Sequence, residues 1–203
     1  MIGIFLGFQN SGKTLAMTYY AYTYYKKGYD IYSNYNLKFS KLKNDKRLHK
    51  LTMDKIIECV KNREQFNKAI FLIDEMYLFM DSRNFGSKKQ KIMTYFLLQT
   101  SKRNVHLFGT AQVFNSVEKR FRENCNFMVF CSRVIKNENE YLNVFDNMRF
   151  LIDSENLYIK NVFLIKRSIE SLTEYYDKKI FYLKAKNVFN LYDTTELINI
   201  LED

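Results

Sequence analysis

Short apolar runs alternate with amphipathic stretches along this chain. Ile2 to Leu6, Asp30 to Asn34, Ala69 to Asp74, Val105 to Thr110 and Phe127 to Cys131 read as buried strands. Between them, Thr14 to Lys27 reads as a helix closed by Gly28, and residues 52–67 as a second. Lys88 to Ser101 carries Ile92, Tyr95, Phe96 and Gln99 at helical spacing. Asn115 to Glu123 forms a short helix with Asn115 as cap and Glu118 reaching back to it. This βαβα alternation predicts an α/β fold with a mainly parallel sheet covered by helices on both faces. The Lys-rich stretch from Lys38 to Lys50 reads as a surface connection. From about Asp146 the pattern changes: Leu157 to Lys166 and Lys179 to Phe189 read as strands around a helix near Ser168 to Tyr176. The expected organisation is a single domain over residues 1–203, with a core of about 1–145 and a β-rich C-terminal extension of about 146–203.

The chain has 203 residues, 47% of them hydrophobic and 17% aromatic, enough apolar surface to offset the entropy of ordering one core. No proline and only six glycines punctuate it, so element boundaries rest on periodicity and charge. Apolar runs such as Ala69 to Ile73 are far shorter than the roughly 20 residues of a bilayer span, and no signal peptide is apparent. Cys59, Cys125 and Cys131 contain no C-x-x-C pair, which argues against a disulfide framework or a cysteine-built zinc site. The formal net charge of +10 favours a polyanionic partner, nucleic acid first. The tyrosines between Tyr19 and Tyr35 fall on several helix faces and read as core and surface filling.

Gly7-Phe8-Gln9-Asn10-Ser11-Gly12-Lys13-Thr14 matches the phosphate-loop pattern G-x-x-x-x-G-K-[ST], with a strand before it and a helix after it. Backbone N–H groups from Gly7, Gln9, Asn10, Ser11, Gly12, Lys13 and Thr14 can converge on phosphates there, aided by the positive end of the helix. Lys13 is expected to reach the β- and γ-phosphates of ATP and the Thr14 hydroxyl to bind Mg2+. Ala69 to Glu75 ends an apolar strand in two carboxylates: Asp74 as the expected magnesium ligand, Glu75 as the base that polarises attacking water. Thr110 and Gln112 emerge at the same sheet edge. Chemistry alone leaves Gln112 as either a γ-phosphate sensor or a turn cap. His106, without metal-ligand spacing to a second His or carboxylate, reads as a packed strand residue. Arg103, Arg120, Arg122 and Arg133 are the arginines able to stabilise charge on a γ-phosphoryl group, in this subunit or a neighbour.

Together the phosphate loop, FLIDE at 71–75, SKRNVHLFGTAQ at 101–112 and VFNLYDTTE at 188–196 resemble the HerA/FtsK superfamily of P-loop ATPases. Within it the likeness is to the small genome-packaging ATPases of viruses with internal membranes, and more distantly to zonula-occludens-toxin-like phage proteins. The resemblance implies a RecA-like fold and an ATPase that translocates double-stranded DNA into a capsid, without reading its sequence. It further implies a homo-oligomeric, hexameric ring around a basic channel. It assigns Arg103 as a finger acting in the neighbouring subunit and Gln112 as the sensor, and places the protein in the virion and host cytoplasm. A capsid or virion membrane protein is the implied docking partner. Phe85-Gly86-Ser87-Lys88-Lys89, close behind Glu75, is the preferred DNA-gripping loop over the Lys38–Lys50 stretch. The competing readings are a thymidine-kinase-like phosphotransferase, which the missing cysteine pairs disfavour, and a nucleotide-regulated module without turnover.

Overall fold

Strand β1 (Ile2–Leu6) is buried on both faces because Ile2, Ile4 and Leu6 face one helical layer and Phe5 the other. The computed structural model describes residues 1–40, 45–80, 88–137, 140–143, 156–167 and 175–193. After β1 come helix α1 (Lys13–Tyr25), β2 (Asp30–Ser33), β3 (Leu48–Lys50), α2 (Met53–Lys61), β4 (Ala69–Ile73) and α3 (Lys88–Leu98). The chain continues as β5 (Val105–Ala111), α4 (Lys119–Asn124), β6 (Phe127–Asn137), β7 (Glu140–Asn143), β8 (Leu157–Arg167) and β9 (Tyr175–Lys184).

All of these strands join one sheet, in the order β3-β2-β4-β5-β1-β6-β8-β9, with β7 also pairing β6. The block from β3 to β6 is parallel, whereas β7, β8 and β9 are antiparallel additions. The mainly parallel α/β architecture read from the sequence is therefore the observed one. Alternate residues of the parallel strands feed two cores. Ala69, Phe71 and Ile73 of β4 pack with α2, α3 and α4 through Ile56, Phe96 and Phe121. Ile70 and Leu72 pack with α1 and, through Val188, with the C-terminal turns. The tyrosines of α1 serve this second core: Tyr24 packs edge-on against Tyr29 and His106, and Tyr25 stacks beneath Arg47.

Several boundaries differ from expectation. The Lys38–Lys50 connection ends in β3, which pairs in parallel with β2. Helix α2 stops at Lys61 instead of running to 67, because Asn62 caps it and Arg63 turns to a positive φ of 51°. Glu118, not Asn115, is the N-cap of α4, its carboxylate accepting from the Phe121 N–H. Strand β6 runs on to Asn137 because β8 pairs it antiparallel as far as Ile135 and β7 pairs its last residues, Val134 to Asn137. The last strand is Tyr175–Lys184, earlier than expected; Ala185–Asn187 and Phe189–Leu191 are 3₁₀ turns. The helix expected at 168–176 meets β9 at Tyr175, and its remainder lies outside the described residues, as do 85–87 of the preferred DNA-gripping loop and 194–196 of the last resemblance motif.

Candidate nucleotide site

The loop between β1 and α1 takes its shape from three residues at positive φ: Gly7 at 152°, Asn10 at 59° and Gly12 at 90°. A β-carbon on Gly12 would meet Ile159 Cδ1 at 2.5 Å, and one on Gly7 would meet the Cys131 carbonyl oxygen at 2.6 Å. At Gly7 the contact is with fixed backbone; at Gly12 it is with the movable end of Ile159, so the left-handed backbone is the stronger constraint there. Gly12 caps α1 without a side-chain hydrogen bond, so the first-turn N–H groups have no capping oxygen. The buried Ser11 hydroxyl also lacks a partner among the described residues. Lys13, buried, donates from Nζ to the Phe8 carbonyl at 2.9 Å, closing the loop on itself. These uncommitted donors and the adjacent ammonium fit the oxygens of a polyphosphate.

Parallel pairing of β1, β5, β4 and β2 brings their carboxyl ends to this same edge. The Asp74 Oδ1 atom accepts from the Thr14 hydroxyl at 2.9 Å and from the Thr110 hydroxyl at 2.6 Å. Thr110 in turn accepts from the Glu75 N–H at 2.9 Å, so one fully buried hydroxyl fixes both acids. Asn34, just past β2, holds the Asp74 backbone from both sides. Its Nδ2 donates to the Asp74 carbonyl at 2.9 Å, and its Oδ1 accepts the Asp74 N–H at 2.8 Å. Glu75 itself adopts φ 55°, ψ 68°, a left-handed conformation costly for a side-chain-bearing residue and common at functional sites.

The Glu75 carboxyl is held above its usual pKa, first by burial and then by the neighbouring Asp74; Lys13 and a hydrogen bond with Gln112 oppose the shift. One of its oxygens, Oε2, is buried without a partner. Gln112 therefore stands beside the acid. The loop and both acids line a hollow of about 600 Å3, whose far wall consists of Arg133, Leu157, Ile159, Phe189 and Tyr192. That wall is pinned to the segment after β2: Lys38 N–H donates to the Leu191 carbonyl at 2.7 Å, and Leu37 bridges Tyr192.

The predicted residues Gly12, Lys13, Thr14, Asp74, Glu75 and Gln112 thus converge, with Gln9 and Asn10 on the hollow's rim. Arg103 does not join them. It precedes β5, a strand's length from Gln112, as a finger serving a neighbour's site would need. Its side chain, however, is only 5% exposed, and NH1 donates to the carbonyls of Cys59 at 2.7 Å and Glu64 at 2.6 Å. NH2 donates to Gln99 Oε1 at 2.8 Å. Within this chain its fork ties α2, α3 and the turn before β4 together, so reaching across a subunit boundary would require breaking that fork; the Glu64 carbonyl would then lose its charged donor, while the Cys59 carbonyl would keep the Glu64 N–H at 3.0 Å. Arg122 is likewise engaged, with the Val117 carbonyl and Asn115, while Arg133 lines the hollow itself. Sequence reasoning missed Asn34 and the C-terminal wall. The signal for Asn34 was present, since it follows an apolar strand as Asp74 does.

Residues 4–133 match the model of the ATPase family associated with various cellular activities (AAA). A search of curated proteins finds no match to the chain. Among solved structures, the N-terminal domain of zonular occludens toxin from Neisseria meningitidis is similar at TM-score 0.56 and 15% identity, over 95% of this chain and 98% of that one. The genome-packaging NTPase B204 of Sulfolobus turreted icosahedral virus 2, in complex with ATP-gammaS, is similar at TM-score 0.52 and 12% identity, over 88% and 95%. The flagellar accessory protein FlaH of Methanocaldococcus jannaschii is similar at TM-score 0.50 and 13% identity, over 89% and 84%. At these identities the likeness is one of fold.

Proposed function

This chain belongs to the ATPase family associated with various cellular activities, and from that premise we propose that it is a ring-forming motor that hydrolyses ATP to translocate double-stranded DNA, as a viral genome-packaging ATPase does. The observation that carries the reading is the joining of Thr14 and Thr110 to one Asp74 oxygen, with Glu75 and Gln112 paired beside it. A site that only bound nucleotide would need neither a desolvated base nor an amide held against it. The +10 charge supplies affinity for a DNA backbone without sequence preference. The likeness to the packaging NTPase B204 supports the choice of DNA as cargo. Among the described residues no helix is long and apolar enough to cross a membrane.

In this reading the triphosphate lies on the loop from Gly7 to Thr14, and Lys13 leaves the Phe8 carbonyl for the phosphate oxygens. Thr14 and Asp74 would hold Mg2+; a single carboxylate with a hydroxyl suits an ion that keeps most of its ligands as water and phosphate. When bound, the ion neutralises charge spread over the β- and γ-phosphates. Glu75 takes a proton from the attacking water, its raised pKa making it a better base near neutral pH than an exposed carboxylate. Gln112 orients that water or reports loss of the γ-phosphate through its bond to Glu75. Leu157, Ile159 and Phe189 offer the base an apolar wall.

The test is ATP hydrolysis with and without duplex DNA at two salt concentrations, alongside light scattering with and without nucleotide. The expected result is DNA-stimulated turnover that weakens with salt, abolished by Lys13→Ala and by Glu75→Gln, in a ring-sized assembly. Equal rates with and without DNA, together with phosphate transfer to thymidine, would overturn the reading in favour of a nucleoside kinase.

A further inference from the structure

A second hollow, of about 250 Å3, opens at the ends of β2 and β3, on the same sheet edge as the nucleotide site. Its lining includes Asn34, Tyr35, Asn36, His49 and Lys50. Tyr35 lines both hollows, so a single side chain forms part of the wall between them. No carboxylate is among the lining residues. Of the acids near it, Asp45 is engaged by the Tyr25 hydroxyl and by Arg47, and Asp193, whose N–H donates to the Asn36 carbonyl, pairs with Lys38. The chemistry offered is an ammonium, an imidazole and two amides, a set suited to a phosphate oxyanion. The volume admits one phosphate with its sugar but not a whole nucleotide chain, and its mouth lies on the surface.

One of the two amides that line this hollow, Asn34, also grips the Asp74 backbone. Asn34 makes two hydrogen bonds to the Asp74 backbone, at 2.8 and 2.9 Å, and Glu75 follows directly in a strained conformation. The Asn34 amide has a second N–H, and a phosphate that drew on it would pull the side chain against its two bonds to the Asp74 backbone and so bear on the orientation of both acids. His49 is itself positioned by stacking on Tyr32, ring centroids 4.4 Å apart, whose ring packs on Phe71 of β4.

We propose that this hollow is a phosphodiester-backbone subsite, built by His49, Lys50 and Asn36 and wired to Asp74 through Asn34, by which bound nucleic acid alters hydrolysis. The proposal rests on the DNA-motor reading and gives it a contact site and a coupling residue. It also moves the grip from the loop after Glu75 to the ends of β2 and the edge strand β3. Asn34 acts here as a positioning residue, since it reaches the reacting groups only through the Asp74 backbone.

The experiment measures duplex DNA affinity by fluorescence anisotropy across a salt series, and the ratio of DNA-stimulated to DNA-free hydrolysis. It compares the full chain with Lys50→Glu, His49→Ala and Asn34→Ala, each checked for folding by circular dichroism. Lys50→Glu is expected to weaken DNA binding about tenfold and to lower the salt slope by about one. His49→Ala is expected to weaken binding less, and Asn34→Ala to keep DNA affinity within about twofold while the stimulation ratio falls toward one. If DNA binds and stimulates the unaltered chain but all three variants match it, the hollow is excluded and the motor reading stands. If the unaltered chain neither binds nor responds to DNA, the motor reading fails first. Inorganic phosphate is expected to displace DNA better than chloride at equal ionic strength from the unaltered chain but not from Lys50→Glu; equal displacement from both proteins would place the phosphate effect elsewhere and overturn the proposal.

Discussion

Thr110 donates its hydroxyl to the Asp74 carboxylate at 2.6 Å from the neighbouring strand. The same oxygen of Thr110 receives the Glu75 N–H, so Asp74 and Glu75 share one anchor. Thr110→Val removes both bonds with little change in shape. Two half-buried groups lose a partner, Asp74 keeping only Thr14 on that oxygen, and the expected loss of stability is about 1–2 kcal/mol. Turnover should fall about tenfold to a hundredfold, as for other residues that orient a metal ligand. Thr110→Ser should recover most of both. A urea melt and a magnesium titration of ATPase activity check this; an unchanged rate in Thr110→Val would mean that Asp74 holds its position unaided.

Burial, followed by the Asp74 charge, raises the Glu75 pKa, and this carries a sign. As a base, Glu75 must be ionised, so kcat/KM falls as pH drops through the raised value, above the usual 4.5 of a glutamate. Removing the opposing Gln112 bond should raise the pKa further: Gln112→Leu is expected to move the acid limb to higher pH as well as to slow turnover. A pH profile with an unmoved limb would argue against the Glu75–Gln112 pair.

Stability gives a second reading of the same group. An acid with a raised folded-state pKa stabilises the fold fully at pH below its unfolded value, and that stability is lost as pH rises through the folded value. Glu75→Gln cannot ionise. Without nucleotide it should therefore melt at a higher temperature than the unaltered chain at pH 8, with the gap closing near pH 4. Melting curves at the two pH values decide this.

Arg103→Ala should act first on stability, by about 2–4 kcal/mol, because the carbonyls of Cys59 and Glu64 lose a charged donor. Arg103→Lys should recover less than half, since an ammonium cannot reproduce the three-point fork. Complete loss of hydrolysis in an Arg103→Ala protein that melts normally, with activity restored on mixing with Glu75→Gln subunits, would reinstate the finger and refute the clamp.

Gly12→Ala should lower nucleotide affinity more than tenfold, for two separable reasons. Its φ of 90° strains any residue with a β-carbon by about 1–2 kcal/mol, and that carbon would press on Ile159. Adding Ile159→Ala relieves only the contact, so calorimetry should show little recovery in the double variant. Full recovery would identify the contact, not the backbone, as the constraint.

What the sequence determined by itself was local or periodic. A glycine-spaced loop fixes backbone conformation within eight residues, and apolar runs of period two, separated by amphipathic helices, leave few sheets that bury both faces. Hence the phosphate loop, the mainly parallel character of the sheet and the acids at the end of β4 were legible in the chain itself. Tertiary structure decided where long-range partners meet. Thr110 and Asn34 lie 36 and 40 positions from Asp74, and register between strands, not spacing along the chain, brings them to it. Arg103 shows the converse: its type and place before β5 suit a finger, yet α2 and α3 enclose it, and burial commits a guanidinium to whatever carbonyls surround it. The C-terminal wall closes the nucleotide hollow for the same reason, since only packing on α1 and pairing with the segment after β2 bring Phe189 and Tyr192 to a loop near the other end of the chain.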